Sequence, residues 1–477
     1  MDWFDTSDYW LGRLLFKEGL AVLYFCAFLV AANQFRPLLG DDGMLPIRRF
    51  LAGRRWQGSP SIFHLHYSDR FFAVVAWTGA GLAALAVVGV LDRLPLPLCM
   101  LGWLLLWALY LSIVNVGQLW YGFGWESLLL EVGLLAVFVG NLHTAPPLLT
   151  LLLLRWVLFR LEFGAGLIKI RGDPCWRDLT CLYYHHETQP MPGPLSWYFH
   201  RLPRPLHKVE VAGNHFTQLI VPFFLFMPQP VAGGAAAIMI ATQLWLVASG
   251  NFSWLNWLAI VLGLSVLPDG FWEFVLPISA PSDIAPSPTW FVAVVVAFTV
   301  AIVALSYRPA RNLLSSHQMM NASFDPWHLV NTYGAFGHIT RTRREIVVEG
   351  TTDEHLTPDT EWRAYEFKGK PGDLWRRPQQ FAPYHLRLDW LMWFAAISPS
   401  YAAPWFGAFI SRLLDGDRAT LSLLHHNPFP DRPPTYVRAR TFRYRFTTHA
   451  ERRATGAWWS RTFESDFMPP ASLRQAP

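Results

Sequence analysis

The sequence predicts an α-helical polytopic membrane protein with a small C-terminal α+β domain. Of its 477 residues, 52% are hydrophobic and 15% are charged, whereas soluble domains carry about 25% charged residues. The apolar residues form long blocks before residue 308, and several blocks reach the ~20 residues that a helix needs to cross a bilayer. After Tyr307 the composition becomes mixed, charged and tryptophan-rich. We therefore divide the chain into a transmembrane helical core, 1–307, and a membrane-proximal domain, 308–477.

Nine apolar segments are candidate membrane-spanning helices. They are residues 14–35, 71–91, 98–120, 126–142, 148–170, 214–230, 231–250, 253–268 and 289–307. The first segment has Lys17 and Glu18 near its start, and the fourth is short and contains two glutamates. Since charged side chains disfavour insertion into a bilayer, these two segments leave the predicted number of spans at eight or nine. The large loops 36–70 and 171–213 lie between spans.

The C-terminal region contains the patterns of both strands and helices. Strands are predicted at 344–350, 362–368 and 436–447, and helices at 383–397 and 405–414. The second helix stops before Asp415-Gly416, an ordinary C-terminal signal. The first helix contains four consecutive apolar residues, 391–394. We therefore expect it to pack on the membrane part or to enter the membrane interface, where tryptophan is common.

The distribution of charge bears on partners and on orientation. The net charge of +5 is dispersed, and arginine occurs beside Trp, Phe and Pro rather than in lysine-rich blocks. This pattern indicates that nucleic acid is not a partner. Basic residues are concentrated after the first, fifth and ninth apolar segments. The positive-inside rule places all three flanks in the cytoplasm, with the N-terminus outside.

Four cysteines are too few for a disulfide framework or a zinc site. Cys26 and Cys99 lie in or beside apolar segments, where a packing role is expected. Cys175 and Cys181 lie close together in one loop. They could form a disulfide if that loop faces an oxidising compartment.

Familiar catalytic and metal-binding motifs are absent from the sequence. There is no phosphate-binding loop, no Gly-x-Ser-x-Gly elbow and no His-Glu-x-x-His helix. Sixteen histidines are scattered along the chain, including the adjacent pairs His185-His186 and His425-His426. Neighbouring residues point to opposite sides of a strand or far apart on a helix. Neither pair alone makes a metal site, and no metal is predicted.

The segment 148–170 combines the length of a membrane span, about 34 Å, with charged residues. Arg155, Glu162 and Lys169 are spaced i, i+7, i+14 and therefore lie on nearly one face of a helix. Arg160 lies well off that face. A charge near the bilayer centre costs at least ~2.5–3.5 kcal/mol, so such residues normally face a protein interior or a wet cavity. The sequence thus predicts one polar stripe along this helix.

Two interpretations of the stripe remain open. Buried ion pairs could fix the packing of the helices, or the stripe could belong to an intramembrane polar site with Lys169 and Glu162 as candidates for catalysis. Hydrogen bonds between helices account for the polar amides but not for a lysine and a glutamate at that depth. The other side chains expected to belong to such a site are Asn115, Gln118, Glu126, Glu131, Arg160, His215 and Gln218.

A polar loop follows the stripe directly and would form the opening of such a site. Its motif residues are Arg171, Asp173, Trp176, Arg177, Asp178, His185 and His186.

Several motifs in this order resemble the lipase maturation factor family, over about residues 10 to 470. The first is the stretch 159–189, with Phe163-Gly164-Ala165-Gly166 and Cys175-Trp176-Arg177-Asp178-Leu179-Thr180. The others are Asn331-Thr332-Tyr333-Gly334, Ile346-Val347-Val348-Glu349-Gly350-Thr351, Tyr365-Glu366-Phe367-Lys368-Gly369-Lys370-Pro371-Gly372, Pro383-Tyr384-His385-Leu386-Arg387-Leu388-Asp389-Trp390, Asn427-Pro428-Phe429-Pro430-Asp431 and Tyr444-Arg445-Phe446-Thr447.

The resemblance implies a polytopic protein of the endoplasmic reticulum that helps secreted lipases reach their active state. It also implies a lumenal C-terminal domain, the opposite of the charge rule, and we follow the resemblance. In a bacterial member the membrane would be the cytoplasmic (inner) membrane, and the lumen would correspond to its outer side.

A second similarity, over 164–176, is to the vitamin K-dependent gamma-carboxylase and its bacterial relatives. Lys169 closes a helix before an Asp and a Trp, and in the carboxylase a lysine at this place acts as base. The sequence departs from that pattern around Trp125-Glu126-Ser127, where the histidine of the carboxylase is missing.

These observations favour a protein that assists the folding, assembly or maturation of secreted or membrane clients, lipases by resemblance, without covalent chemistry and with no cofactor expected. Membrane lipids are its other partners. The alternative is a membrane enzyme acting on a lipid or quinone-like molecule. Glycines and prolines predict turns at 365–373 and 427–431, and turns often carry binding residues. The expected partner-binding residues are Phe367, Lys368, Asn427, Phe429 and Asp431.

Overall fold

The computed structural model describes residues 3–473, which form a helical membrane part and a C-terminal part built around a small sheet. The helices of the first part are α1 (Trp10–Leu39), α2 (Ile47–Ala52), α3 (Asp69–Val87), α4 (Val90–Arg93), α5 (Leu96–Val116), α6 (Gly124–Ala136), α7 (Leu148–Arg171), α8 (Pro174–Arg177), α9 (Leu182–Thr188), α10 (Ser196–His200), α11 (Arg204–Leu219), α12 (Val231–Ser249), α13 (Leu255–Leu264), α14 (Asp269–Val275), α15 (Thr289–Leu305) and α16 (Tyr307–Leu314). The elements of the second part are β1 (Arg343–Thr351), β2 (Arg363–Ala364), β3 (Glu366–Phe367), α17 (Arg387–Ile397), α18 (Phe406–Leu414), α19 (Arg418–Leu421), β4 (Leu424–His426), β5 (Tyr436–Phe446), α20 (His449–Thr455) and β6 (Trp459–Ala471).

Five helices in the described residues are long and apolar enough to cross a membrane, and a bent pair makes a possible sixth span. The five are α1, α3, α5, α12 and α15, the last continued by α16. The pair is α13 and α14, which are bent by 107° relative to each other at the break between them. The predicted number of eight or nine spans is therefore not confirmed. The protein is nonetheless an integral membrane protein with several apolar helices, as predicted.

The remaining candidate segments do not belong to this set of long apolar helices, each for a separate physical reason. Helix α6 has 13 residues, about 20 Å at 1.5 Å per residue, which is too short for a hydrocarbon core of about 30 Å. The predicted span 214–230 breaks where α11 ends at Leu219 and a 3-10 turn, Val221–Phe226, follows with Pro222 at its start. Helix α7 is long enough with 24 residues, but its charged side chains lower its hydropathy.

Helix α6 lies wholly inside the protein, and both of its glutamates are paired. Glu126 accepts a hydrogen bond from the Tyr110 hydroxyl at 2.5 Å and forms an ion pair with Arg387 of α17 at 2.8 Å. Glu131 forms an ion pair with Arg160 of α7 and accepts a hydrogen bond from the Tyr333 hydroxyl at 2.6 Å. The charges of α6 therefore connect the membrane helices to segments late in the chain.

The C-terminal sheet is antiparallel, in the order β2-β1-β5-β6, and β3 pairs with β4. Strands β2, β3 and β5 lie within the segments predicted as strands, β1 extends one residue beyond its predicted segment at each end, and α17 and α18 lie within the two predicted helices. Strands β4 and β6 were not predicted, and β6 is the longer of the two. Its 13 residues are mostly exposed and include Pro469-Pro470 near the end, a composition that is tolerated because β6 lies at the sheet edge.

The C-terminal part packs tightly against the membrane part through α17. The Gln34 side chain donates to the His385 carbonyl at 2.8 Å, and Arg387 donates to the Trp120 carbonyl at 2.6 Å. Leu391 and Met392 are almost fully buried. Of the two alternatives expected for this helix, the structure shows packing on the membrane part.

The prediction that the turns at 365–373 and 427–431 display aromatic binding residues is wrong. Phe367 is 2% exposed and Phe429 is 7% exposed, so both rings belong to the core. The ring of Phe429 lies over Gly350, where a Cβ would approach it to 2.7 Å. The Asn427 side chain makes its own turn by bonding the backbone of Phe429. Both segments do reverse the direction of the chain, as predicted for turns. Their phenylalanine rings point inward because burying such a side chain stabilises the fold by about 1.5–3 kcal/mol.

Two of the five expected partner-binding residues do lie at the surface. Lys368 and Asp431 are exposed, although the Lys368 ammonium also donates to the Ser422 carbonyl at 2.6 Å.

Candidate functional site

A cavity of about 890 Å³ lies between α7, α11, α12 and α13, with α9 and α17 completing its walls. Its volume falls within the range of about 300–1,000 Å³ that is typical of small-molecule sites. Most of the lining is apolar, for example Leu161, Phe252 and Trp390. Phe216 and Trp245 also line it and are partly exposed at the surface. The cavity is therefore a mainly apolar space with a minority of polar groups on its walls.

Lys169 is one of those polar groups. Its ammonium donates to the Asn214 side-chain oxygen at 2.8 Å and to the Gln218 side-chain oxygen at 2.9 Å, both on α11. The ammonium also lies 4.9 Å from the centre of the Trp176 ring, close enough for a cation–π interaction. Within residues 3–473, no carboxylate forms an ion pair with Lys169.

Glu162 lies two helical turns from Lys169 on the same wall, and amides surround its carboxylate. The Gln218 amide donates to one oxygen at 3.1 Å, and the Gln243 amide of α12 donates to the other at 2.6 Å. Asn256 of α13 in turn donates to the Gln243 oxygen at 2.6 Å. We refer to the continuous series of hydrogen bonds as the polar chain: Lys169, Gln218, Glu162, Gln243 and Asn256.

Arg155, the third member of the predicted stripe, lies apart from the cavity. Its guanidinium donates to the Leu225 carbonyl at 3.1 Å and to the Tyr9 hydroxyl at 3.2 Å. The structure thus brings Lys169 and Glu162 together through Gln218 and leaves Arg155 as a contact between α7 and the turn after α11.

Gln218 was expected beside the stripe and does bond to it, but the other carboxylates and amides expected there have other partners. Glu126 and Glu131 pair with Arg387 and Arg160, as described above, so neither reaches Lys169. Asn115 donates to the carbonyls of Pro60 and Pro326, and Gln118 donates to the Leu45 carbonyl. These amides fasten loops to the membrane part. His215 lies nearer, with its Nε2 2.9 Å from the Trp176 carbonyl oxygen.

The loop after α7 is fixed to the segment that precedes the sheet. Arg341 donates two hydrogen bonds to the Asp173 carboxylate, at 2.7 and 2.9 Å. This guanidinium lowers the pKa of Asp173 to about 2. The Trp176 indole donates to the Phe336 carbonyl at 2.9 Å. Arg171 donates to the Gln318 side chain at 2.9 Å.

Other residues of the loop motif have distinct surroundings. Arg177 and Asp178 are exposed. Cys175 and Cys181 form a disulfide with Cα atoms 4.8 Å apart. His185 is buried between aromatic rings of the cavity, and burial lowers its pKa to about 3, so the ring is neutral.

His186 belongs to a cluster of side chains that could bind a metal ion. It faces His207 and Glu210 of α11, and the potential metal-ligating atoms of the three side chains all lie within 4.8 Å of one another. Asp173, Cys175 and Cys181 also cluster, but the disulfide and Arg341 already occupy their ligating atoms.

Several residues at the site were absent from the sequence prediction. Gln243 and Asn256 are isolated amides inside apolar segments, and that isolation is a signal for a buried hydrogen-bonding role. His207 and Glu210 are spaced i, i+3 and therefore share a helix face. Their partner His186 is 21 positions away from His207, so no local motif unites the three.

Comparison with known proteins identifies the family. The model of the lipase maturation factor transmembrane domain matches residues 11–274, and that of the lipase maturation factor C-terminal domain matches 329–469. The chain belongs to the lipase maturation factor family. The resemblance seen in the sequence motifs is thereby confirmed.

Relatives in this family are similar over nearly the whole chain. Lipase maturation factor 1 of Mus musculus is 41% identical, over 98% of this chain and 88% of that protein. Lipase maturation factor 1 of Homo sapiens is 42% identical, over 98% of this chain and 89% of that protein. Lipase maturation factor 2 of Xenopus laevis is 30% identical, over 98% of this chain and 83% of that protein. No solved structure matches this chain.

Proposed function

We propose that this membrane protein assists the maturation of lipase-like clients by binding them without covalent chemistry. The names of its relatives support lipases as the client class. The binding region in this proposal is formed jointly by the C-terminal part and the loop 171–213.

The loop and the C-terminal part interlock, which supports a common binding region. Arg343 of β1 donates to the carbonyls of Gln189 at 2.5 Å and of Pro190 at 3.1 Å. In the other direction, the Trp197 indole of the loop donates to the Thr447 carbonyl at 2.8 Å. Because side chains of each segment donate to backbone carbonyls of the other, the two segments are joined into one body.

An exposed surface of aromatic and arginine side chains lies where these two segments meet, and it is the observation that carries the proposal. Tyr198 of the loop is 44% exposed, and Trp375 of the C-terminal part is 61% exposed. Arg452 lies 3.5 Å from the centre of the Trp458 ring and 5.5 Å from that of Tyr198. Tryptophan, tyrosine and arginine are enriched among residues that dominate binding energy. We call the exposed and half-buried members of this set the aromatic–arginine surface: Tyr198, Trp375, Arg377 and Arg452. The buried Trp458 ring packs against Arg452 and supports this surface.

The disulfide supports an outward or lumenal position for this body. Disulfides persist in oxidising compartments, and Cys175–Cys181 lies in the same loop that bonds to the sheet. In the proposal the protein lies in the endoplasmic reticulum if its source is eukaryotic and in the cytoplasmic membrane if it is bacterial. The client then meets the protein on the lumenal or outer side.

The proposal is tested by co-expressing a secreted lipase with the wild-type protein or with a Tyr198→Ala/Trp375→Ala variant. We expect the specific activity of the secreted lipase to fall several-fold with the double variant, since truncation of central interface aromatics costs about 2 kcal/mol or more. Leu356→Ala, which alters an exposed apolar residue elsewhere in the C-terminal part, is the matched control and should behave like the wild type. Full lipase maturation with an abundant double variant would refute this binding surface.

A second candidate function rests on the cavity. An apolar space of about 890 Å³ with the polar chain on its wall fits a lipid or quinone-like molecule whose polar end meets Lys169. Native mass spectrometry of the purified protein tests this candidate. A bound amphiphile that is lost on Lys169→Met would support it, and a protein that carries none from the membrane would remove it.

A further inference from the structure

Two histidines and a glutamate converge on one point beside the cavity. His186 lies on α9, and His207 and Glu210 lie one turn apart on α11. The Glu210 Oε2 atom is 3.6 Å from His186 Nε2 and 3.7 Å from His207 Nδ1. Both imidazoles are almost fully buried.

These separations are too long for hydrogen bonds, whose N–H···O distances lie at about 2.7–3.2 Å. Within the described residues, His186 Nδ1, His186 Nε2, His207 Nδ1 and Glu210 Oε2 have no hydrogen-bond partner. Buried polar atoms are rarely left without one. The three side chains thus direct potential metal-ligating atoms at a common space.

The same separations suit ligands around one metal ion. Zinc lies about 2.0–2.2 Å from histidine nitrogen and carboxylate oxygen, so two tetrahedral ligands are roughly 3.3–3.6 Å apart. The observed 3.6 and 3.7 Å require only a small contraction. Two imidazoles and one carboxylate form a donor set that zinc uses at sites with an open coordination position.

We propose that His186, His207 and Glu210 bind one divalent transition-metal ion, zinc being the best match to this donor set. Three protein ligands leave a position for water or another ligand. His186 and Glu210 both line the cavity, so that open position adjoins the cavity. The ion joins α9 to α11. This inference does not depend on the proposed function in lipase maturation.

A further contact holds the carboxylate in the required orientation. The Trp245 indole of α12 donates to Glu210 Oε1 at 2.7 Å and leaves Oε2 directed at the histidines. Partners that orient metal ligands in this way typically contribute 10–100-fold to metal affinity. Trp245 is therefore a positioning residue of the metal site.

Zinc binding to the purified full-length protein tests the proposal. The protein is stripped with a chelator, reconstituted with zinc chloride and assayed for metal by elemental mass spectrometry. We expect one zinc per chain and a higher melting temperature with zinc than with chelator. Glu210→Gln, which keeps the size of the side chain, should abolish both effects, and Trp245→Phe should weaken zinc affinity by about tenfold or more.

The matched control is His425→Ala/His426→Ala, which removes two exposed histidines far from the cluster in sequence. This variant should bind zinc like the wild type. A folded wild-type protein without stoichiometric zinc would overturn the proposal. So would a Glu210→Gln variant with wild-type affinity, because surface histidines would then account for the binding.

Discussion

Lys169 and Glu162 lie two turns apart on α7 and are joined by one amide, the side chain of Gln218, which accepts from the ammonium and donates to the carboxylate. The amide dipole is thus oriented to stabilise both charges. The Gln218 amide thus bridges the two charges along one wall of the cavity, in place of a direct ion pair.

The first prediction concerns this bridge. Lys169→Met should lower the free energy of unfolding by up to about 3 kcal/mol, because Glu162 is then buried without a nearby cation. Lys169→Met/Glu162→Gln should recover part of the loss by removing the isolated charge. Thermal melting in detergent measures both. A Lys169→Met protein with wild-type stability and wild-type client maturation would show that the bridge has neither role.

The second prediction concerns the pair between α6 and α17. Arg387→Met leaves the Glu126 carboxylate buried without its guanidinium partner, and we expect a loss of about 3–5 kcal/mol with reduced abundance. Arg344→Met breaks the exposed pair with Glu464 and is the control, with an expected loss of about 0–1 kcal/mol. Equal melting temperatures for the two variants would contradict the structure.

The third prediction concerns the disulfide. Peptide mapping without reductant, after alkylation during lysis, should recover Cys175 and Cys181 as one linked pair and Cys26 and Cys99 as free thiols. Cys175→Ser/Cys181→Ser should lose no more than about 2–3 kcal/mol, since the ring is short. Recovery of Cys175 and Cys181 as alkylated thiols would contradict the pairing.

The fourth prediction concerns acid stability. The pKa of Asp173 is lowered to about 2 in the folded protein by Arg341, against about 3.9 in an unfolded chain. The pair therefore stabilises the fold above about pH 4, and this contribution is lost as the pH falls towards 2. Asp173→Asn should remove this part of the pH dependence of the melting temperature and cost about 1 kcal/mol at neutral pH, since Arg341 is partly exposed. An unchanged acid profile in the variant would assign the effect to other groups.

The fifth prediction concerns orientation. Thr357 is exposed in the C-terminal part, and Thr357→Cys should react with a membrane-impermeant maleimide applied to the lumenal or outer side of sealed membranes. The wild type, with its native cysteines, is the background control. Labelling only after the membranes are opened would support the positive-inside rule instead.

Sequence alone predicted the family, the membrane class and most of the sheet. These succeed because apolar length and strand alternation are local properties of the chain. The exact number of spans is not confirmed, since α6 has the composition of a membrane helix but the length of a buried one. Whether an apolar helix is covered by lipid or by protein depends on its neighbours, which local composition does not encode.

The polar side chains show the same difference between what local sequence predicts and what tertiary packing determines. The stripe formed by Glu162 and Lys169 was evident from helical spacing, but its partners Gln218 and Gln243 come from other helices. Phe429 was assigned to the surface because of its turn, but in the structure its ring packs over Gly350 and is buried. Partner choice is a property of tertiary packing.

The placement of α6 has a consequence for synthesis of the chain. Glu126 precedes its partner Arg387 by 261 positions in the sequence, and Glu131 precedes Tyr333 by 202 positions. Until the ribosome has produced those late segments, the membrane helices hold a carboxylate without its guanidinium. A nonsense codon before 387 therefore removes more than the C-terminal part: it leaves the membrane part itself unfinished and a target for degradation.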